Sequence, residues 1–482
     1  MTKKGIRPIH TFNWWLSDDI FLWAEGTFDY GENVNIYSIP KWVRLWSNPN
    51  LVVNIVWVVT GTIVKILIDN DGAERFFTST GQIRKNNWVN YINVANLPAG
   101  FIIYNAIEFW AVAWARMIAI LTDSALWRID IVTFVLTNVW AIPLPIWIDY
   151  WIPVVNYQNT VLYFWAGNFL NRVDNAYTVI AQSITFRSNE VVKHLWQFQD
   201  QIKIYTSISW PFQIKGESYQ YFWNQIWTQP QNVFAVEWVY IRSWLTDWPY
   251  DYIIAWFDSL RSQLYVFSWS QKKLIHRNPS IFVWSKRKFA YSWGITANNY
   301  SNGFAFFAVS LWANVQAIQY YWKFFEWLPI ASNLWITIPN ITPITAMAST
   351  PSALYFALDN KLYIAWVFDP SIYSSSWFLE TRRYYGEEMS ILKKVEEFNI
   401  SYELPNAFCS INVYVILENW TQVLIANITD TTKLFRRVYQ NEFLNPVPFF
   451  NYAQMKFELL WDWLTTPILY ECNVTYTDEI QY

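Results

Sequence analysis

The sequence predicts an all-β fold, and three observations carry that reading. A unit of apolar strand, short polar turn and second apolar strand recurs with starts near residues 62, 115, 159, 201, 251, 303 and 352. Beyond about residue 380 the runs alternate apolar and polar residues, as in Asn412-Val413-Tyr414-Val415, the period-2 pattern of half-buried strands. Tyr and Phe together number 65, a content suited to β structure.

The repeated units read TIVKILIDNDGAERFFT, ARMIAILTDSALWRIDIV, NTVLYFWAGNFLNRVD, QIKIYTSISWPFQIKG, DYIIAWFDSLRSQLYVFS, GFAFFAVSLWANVQAIQYY and SALYFALDNKLYIAWVF. Their starts are separated by 53, 44, 42, 50, 52 and 49 residues. That spacing leaves room for about two further short strands per unit, the strand content of a β-propeller blade. A lone four-stranded sheet cannot cover both its faces, so blades pack radially and close into a ring. We therefore expect a β-propeller of about seven blades over residues 46–370. An irregular β-sandwich or two stacked β domains is the alternative, since no strict residue repeat recurs.

Before this region, residues 1–45 lack the repeat and read as an extended N-terminal arm with a turn at Ile39-Pro40-Lys41-Trp42. Such an arm could supply an edge strand to the ring or pack against a neighbouring subunit. After Pro370, the Ser-rich stretch Tyr373-Ser374-Ser375-Ser376-Trp377 marks a domain edge. The runs ILKKVEEFNISYEL, SINVYVILENWTQVLI, FRRVYQ, QMKFELL and ILYECNVTYTDEI then predict a small β-sandwich over 371–482.

One stretch of that sandwich, VILENWTQVLI, places a tryptophan at a hairpin tip. A two-residue loop of the favoured type needs positive φ at both centres; Asn419 suits the first, whereas Trp420 meets a Cβ clash at the second. The chain has 12 Gly and 34 Trp, against roughly 34 Gly expected for this length at about 7%. Together they number 46, a plausible glycine content for a turn-rich β protein. Trp210, Trp248, Trp269, Trp461 and Trp463 also stand where glycine punctuates a chain. We read many of these tryptophans as UGA codons that the source organism decodes as glycine. The alternative is a Trp-rich protein with aromatic clusters in its core or at a binding face.

Net charge is −3, so no general nucleic-acid or anionic-membrane surface is expected. Lys286-Arg287-Lys288 and Lys272-Lys273 read as solvated loop faces. Cys409 and Cys472 allow at most one disulfide, and reduced core cysteines are the expectation. MTKKGIRPIHTFNWW holds basic residues but no apolar h-region, so no secretory signal is expected. Polar residues and prolines interrupt stretches 97–121 and 138–155, which argues against a membrane span.

Histidine is scarce: His10, His194 and His276 are far apart and lack metal-spaced partners, so no metal site or Ser-His-Asp arrangement is expected. No phosphate-binding or nucleophile-elbow motif is visible, and no cofactor is implied. Carboxylates are the remaining catalytic candidates. Asp18-Asp19, Glu387-Glu388 and Glu396-Glu397 are adjacent pairs, whose members point to opposite faces on a regular strand. Asp69, Asp71, Asp123, Asp258 and Asp359 recur near the turns, where Asx turn formation explains them without catalysis. No catalytic residue is assigned.

With glycine restored, the arm FNWWLSDDIFLWAEGTFDYGENVNIYSIPKWVRL, followed by the repeats and a sandwich, resembles β-propeller virion proteins of tailed bacteriophages. In those proteins a segment of the type Gly-Gly-Leu…Pro-x-Gly precedes the ring. Here Trp14-Trp15-Leu16 stands for the first part and Asn33 to Pro40 with Trp42 for the later part. The resemblance implies a structural component of a tail or neck, located in the virion and docking to other virion proteins. It implies no enzyme activity. A propeller glycoside hydrolase or depolymerase, or a surface protein binding host-surface glycan, is the alternative.

Overall fold

The computed structural model describes residues 59–141 without 70–71 and 88–89, and 154–185 without 158 and 167–168. It also describes 342–366 without 351–352, then 378–381, 391–461 and 465–479, and the backbone of further strands. Among these the chain is all β, with only two short 3₁₀ turns, Val112–Trp114 and Gln440–Glu442. No helix among the described residues is long and apolar enough to cross a membrane.

The chain divides into two compact units. One comprises 50–316 and 339–364, the other 1–49, 317–338 and 365–482.

The first of these units is a succession of antiparallel sheets, five of them four-stranded and ordered as their strands occur in the chain. The sheet Ile63–Ile68, Glu74–Thr78, Gln82–Asn86, Tyr91–Asn96 is followed by Ile103–Glu108, Met117–Thr122, Ala125–Asp130, Leu136–Ala141. The third runs Val154–Tyr157, Val161–Ala166, Phe169–Asp174, Val179–Thr185. Two more are formed by strands within 190–237 and within 240–277, and a strand pair at Tyr291–Ser301 and Phe304–Leu311 follows. A last sheet joins Ile344–Ser349, Ala353–Leu358 and Lys361–Trp366, and its fourth strand is Asn50–Leu51 from the other end of the sequence.

Why MIAILT and VLYFW are buried along their length, instead of alternating, follows from the packing. Ile118 and Ile120 join Phe77, Ile83 and Leu97 of the preceding sheet, whereas Ala119 and Leu121 join Leu162 and Phe164 of the following one. Val161, Tyr163 and Trp165 turn the other way, to Leu195, Ile202 and Ile204. Each inner sheet is covered on both faces, so both residue sets are apolar. Every fully buried Ile or Leu in these layers contributes roughly 1.5–3 kcal/mol.

A register repeat accompanies the sheets. In six first-to-second strand pairings the register slips just after a β-branched residue: Ile63, Ile103, Val192, Ile241, Ile295 and Ile344. Such bulges bend a strand and raise its twist. The sequence carries no strict residue repeat; the repeated feature is this slip, and the residues around it vary.

The first and last sheets of this unit are bonded to one another. The Ile63 N–H donates to the Asp359 carbonyl at 2.8 Å, Thr62 Oγ1 donates to Asp359 Oδ1 at 2.8 Å, and Thr345 Oγ1 donates to the Ile63 carbonyl at 2.6 Å.

In the other unit, one sheet orders Lys4–Ile9, Ile468–Glu479, Leu392–Glu403 and Phe435–Tyr439. A second sheet of this unit orders Leu334–Ile338, Thr27–Glu32, Phe378–Thr381, Ala453–Leu460, Ser410–Leu417 and Gln422–Ile428. The five sequence runs expected as strands beyond residue 380 are strands here. Ser410 to Val415 alternates half-buried and buried, as its pattern predicted. Cys409 and Cys472 are both buried and free.

The hairpin at Asn419 differs from the expected two-residue loop. The Trp420 N–H donates to the Leu417 carbonyl at 2.8 Å, and the Leu417 N–H to the Thr421 carbonyl at 3.0 Å. Three residues, 418–420, therefore form the loop, and of the two central residues only Trp420 has positive φ, at 67°. This is the left-handed position that closes a three-residue hairpin. Gly72 and Gly81 make the same bond to the carbonyl three residues back and have φ of 76° and 88°. Trp114 also has positive φ, 63°. Trp210 ends a strand, while Trp248, Trp269 and Trp463 lie outside the described residues.

Candidate functional site

The acids singled out at turns hold backbone in place. Asp69 Oδ1 accepts from the Ala73 N–H at 2.9 Å, and its Oδ2 takes Arg75 Nε and Nη2 at 3.1 and 3.0 Å. Asp123 Oδ1 accepts from the Ile102 N–H at 3.0 Å, and Asp359 Oδ1 from Thr62. Asp71, Asp18-Asp19 and Glu387-Glu388 lie outside the described residues, as does the side chain of Asp258.

Two polar networks in the repeat unit went unnoticed in the sequence because their members lie far apart along the chain. Glu74 accepts from Tyr355, from Tyr91 at 2.5 Å and from Asn86 Nδ2 at 2.7 Å. Burial, and then Glu74 itself, push the Tyr91 and Tyr355 phenols well above the usual tyrosine range. Arg116 Nη2 lies 3.3 Å from Glu108 Oε1 and 3.9 Å from Asp69 Oδ1, linking the second sheet to the buried Asp69–Arg75 pair. Burial also lowers the Lys65 amine to about 8, and no described acid pairs with it. Each network has a joining role between sheets, and its carboxylates are already occupied by donors.

Glu396 and Glu397 overturn a simple expectation. A bulge between Val395 and Glu397 breaks the alternation. Thr477 Oγ1 donates to Glu396 Oε1 at 2.9 Å and Thr475 Oγ1 to Glu397 Oε1 at 3.2 Å. Thr475 and Thr477 are two apart and share a face, so both carboxylates reach the same side of the sheet. Arg437 then clamps Glu397 with two bonds, Nε to Oε2 at 2.9 Å and Nη2 to Oε1 at 2.7 Å.

Segment 434–449 departs from a simple solvated surface. Leu434, Phe435, Tyr439, Leu444 and Phe449 are all exposed, from 45% to 66%. The loop is held all the same: Leu444 N–H and Asn445 Nδ2 donate to the Ile425 and Leu424 carbonyls, each at 2.9 Å, and the Tyr439 N–H donates to Glu442 Oε2 at 2.9 Å. Bonded backbone here presents five large apolar side chains to solvent. In the sequence only FRRVYQ of this segment reads as a strand, and nothing in its pattern marks exposure.

His194 and His276 lie on strands, opposite Tyr205 and Leu264; His10 is outside the described residues. Among the described residues no group of three or more His, Cys, Asp or Glu could hold a metal ion.

No family model matches the chain, and no curated protein matches it. Solved structures with a similar fold include the β-propeller domain of Cps50 (Swd1) from Myceliophteria thermophila, at 9% identity and a TM-score of 0.46 over 66% of this chain and 100% of that one. Another is BamB from Moraxella catarrhalis, at 11% identity and a TM-score of 0.42 over 70% of this chain and 96% of that one.

Proposed function

We propose that this chain is a structural component of a bacteriophage virion, in the tail or neck, acting by protein–protein docking. The observation that carries the docking reading is the ordered, exposed apolar segment 434–449. In the same reading, the successive sheets and the strand pair close into a seven-bladed propeller. Bonds from Thr62, Ile63 and Thr345 between first and last sheets support that closure, as does the edge strand Asn50–Leu51. The two sheets of the other unit form a β-sandwich. A ring without long open edges suits a protein that must persist outside a cell.

The recoding of UGA as glycine belongs to this proposal and fits a virus of a recoding host. Positive φ at Trp114 and Trp420 supports it at those positions.

Purified particles test the reading. Mass spectrometry of particles separated from free protein is expected to find this chain as a stoichiometric component. Recovery only in the soluble fraction, with release of sugar from host-envelope polysaccharide, would replace it with the glycosidase alternative.

A further inference from the structure

Three features of the hairpin tip Glu418-Asn419-Trp420-Thr421 bear on its covalent stability. Trp420 has φ of 67°, the left-handed conformation that glycine adopts without a Cβ clash. Asn419 Oδ1 accepts the Thr421 N–H at 3.0 Å, so the side-chain amide folds over the 419–420 peptide and its carbonyl is polarised. Asn419 and Thr421 are exposed, so water and hydroxide reach the tip. With glycine at 420, as the recoding reading has it, the tip is an Asn-Gly pair.

We propose that Asn419 of the native chain is a site of spontaneous deamidation. The backbone nitrogen of residue 420 loses its proton to hydroxide and attacks Asn419 Cγ. The new N–C bond closes a five-membered succinimide, and the side-chain nitrogen leaves as ammonia. Water then opens the ring at either carbonyl, giving aspartate or isoaspartate, with nothing oxidised or reduced. A side chain at 420 obstructs the approach of its nitrogen to Cγ, and glycine has none. The Trp420 N–H donates to the Leu417 carbonyl at 2.8 Å, so the attack follows opening of that bond, which an exposed tip allows at low cost. Asn412 and Asn427, paired across the same hairpin, precede Val413 and Ile428, whose β-branched side chains and strand ladder close them to the same attack. The product sets a second carboxylate beside Glu418, whose Oε2 accepts the Asn451 and Tyr452 N–H groups at 2.7 and 3.4 Å. Negative charge therefore accumulates with age where the hairpin holds the chain just beyond segment 434–449.

The inference rests on the recoding of position 420, and the two fail separately. The full chain and its Trp420→Gly variant are held in mildly alkaline buffer and their peptides read by mass spectrometry. In Trp420→Gly, position 419 is expected to gain one mass unit about tenfold or more faster than in the unsubstituted chain, with paired aspartate and isoaspartate peaks. The rate is expected to rise with pH, while Asn412 and Asn427 stay amides. An intact Asn419 in Trp420→Gly, or equal rates in the two chains, overturns the inference. In aged native protein, glycine at 420 beside an unchanged Asn419 sinks the inference and leaves the recoding standing. Tryptophan at 420 of the native protein removes the recoding and the site with it.

Discussion

Tyr355 donates its hydroxyl to Glu74, 281 residues earlier in the chain. The bond ties the last repeated sheet to the first. Tyr91 and Asn86 donate to the other oxygen of the same carboxylate. Glu74→Ala leaves these donors without their acceptor and is expected to cost about 3 kcal/mol, read from urea unfolding. Tyr355→Phe removes one charge-assisted bond and is expected to cost about half as much.

The same cluster sets an alkaline limit. The folded chain raises both phenol pKa values, while the unfolded chain ionises near about pH 10. Their stabilisation is full below that pH and declines as pH rises beyond it. A urea midpoint falling above about pH 10, with a shallower fall in the Tyr91→Phe/Tyr355→Phe double variant, is the expected result.

Asp69 and Arg75 form an ion pair at 3.0 Å whose side chains are each 1% exposed. Asp69→Ala strands a buried guanidinium and is expected to destabilise by about 3–5 kcal/mol. Lys433→Ala breaks a pair with Asp430 in which Lys433 is 65% exposed, and no measurable change is expected. Thermal unfolding of the two variants side by side checks the contrast.

Trp420→Gly is expected to stabilise by about 1 kcal/mol, because glycine adopts the left-handed conformation without a Cβ clash. Tyr177 also has positive φ, 61°, yet Tyr177→Gly should cost about 3–5 kcal/mol. Its hydroxyl donates to the Phe109 carbonyl at 2.6 Å and its ring packs on Phe109. For the native protein, peptide sequencing by mass spectrometry is expected to read glycine at 420. A tryptophan there, encoded by UGG, refutes the recoding of that position.

Trp127 and Trp165 pose the opposite case. Both indoles are buried between sheets, and neither Nε1 has a hydrogen-bond partner. Trp127→Phe keeps the ring and removes a stranded donor, so a neutral or stabilising change of less than about 1 kcal/mol is expected. Trp127→Gly empties the layer beside Phe101 and is expected to cost about 3–5 kcal/mol. Unfolding curves separate the two.

Local sequence determined what local physics controls. The strand–turn–strand spacing, the alternation through Asn412 to Val415 and the glycine-like demand at Trp420 were legible, because residue period and φ limits act within a few residues. Tertiary structure alone decided what depends on partners far along the chain. MIAILT is buried on both faces because a sheet lies on either side. Asn50–Leu51 serves a sheet whose other strands begin at Ile344, and Glu74 meets Tyr355. The bulge beside Glu396 brings two acids to one face, where strict alternation would separate them. The exposed edge at Phe435 is likewise a matter of which strands find neighbours. Pattern specifies that a strand forms; only the summed complementarity of distant surfaces specifies what lies beside it.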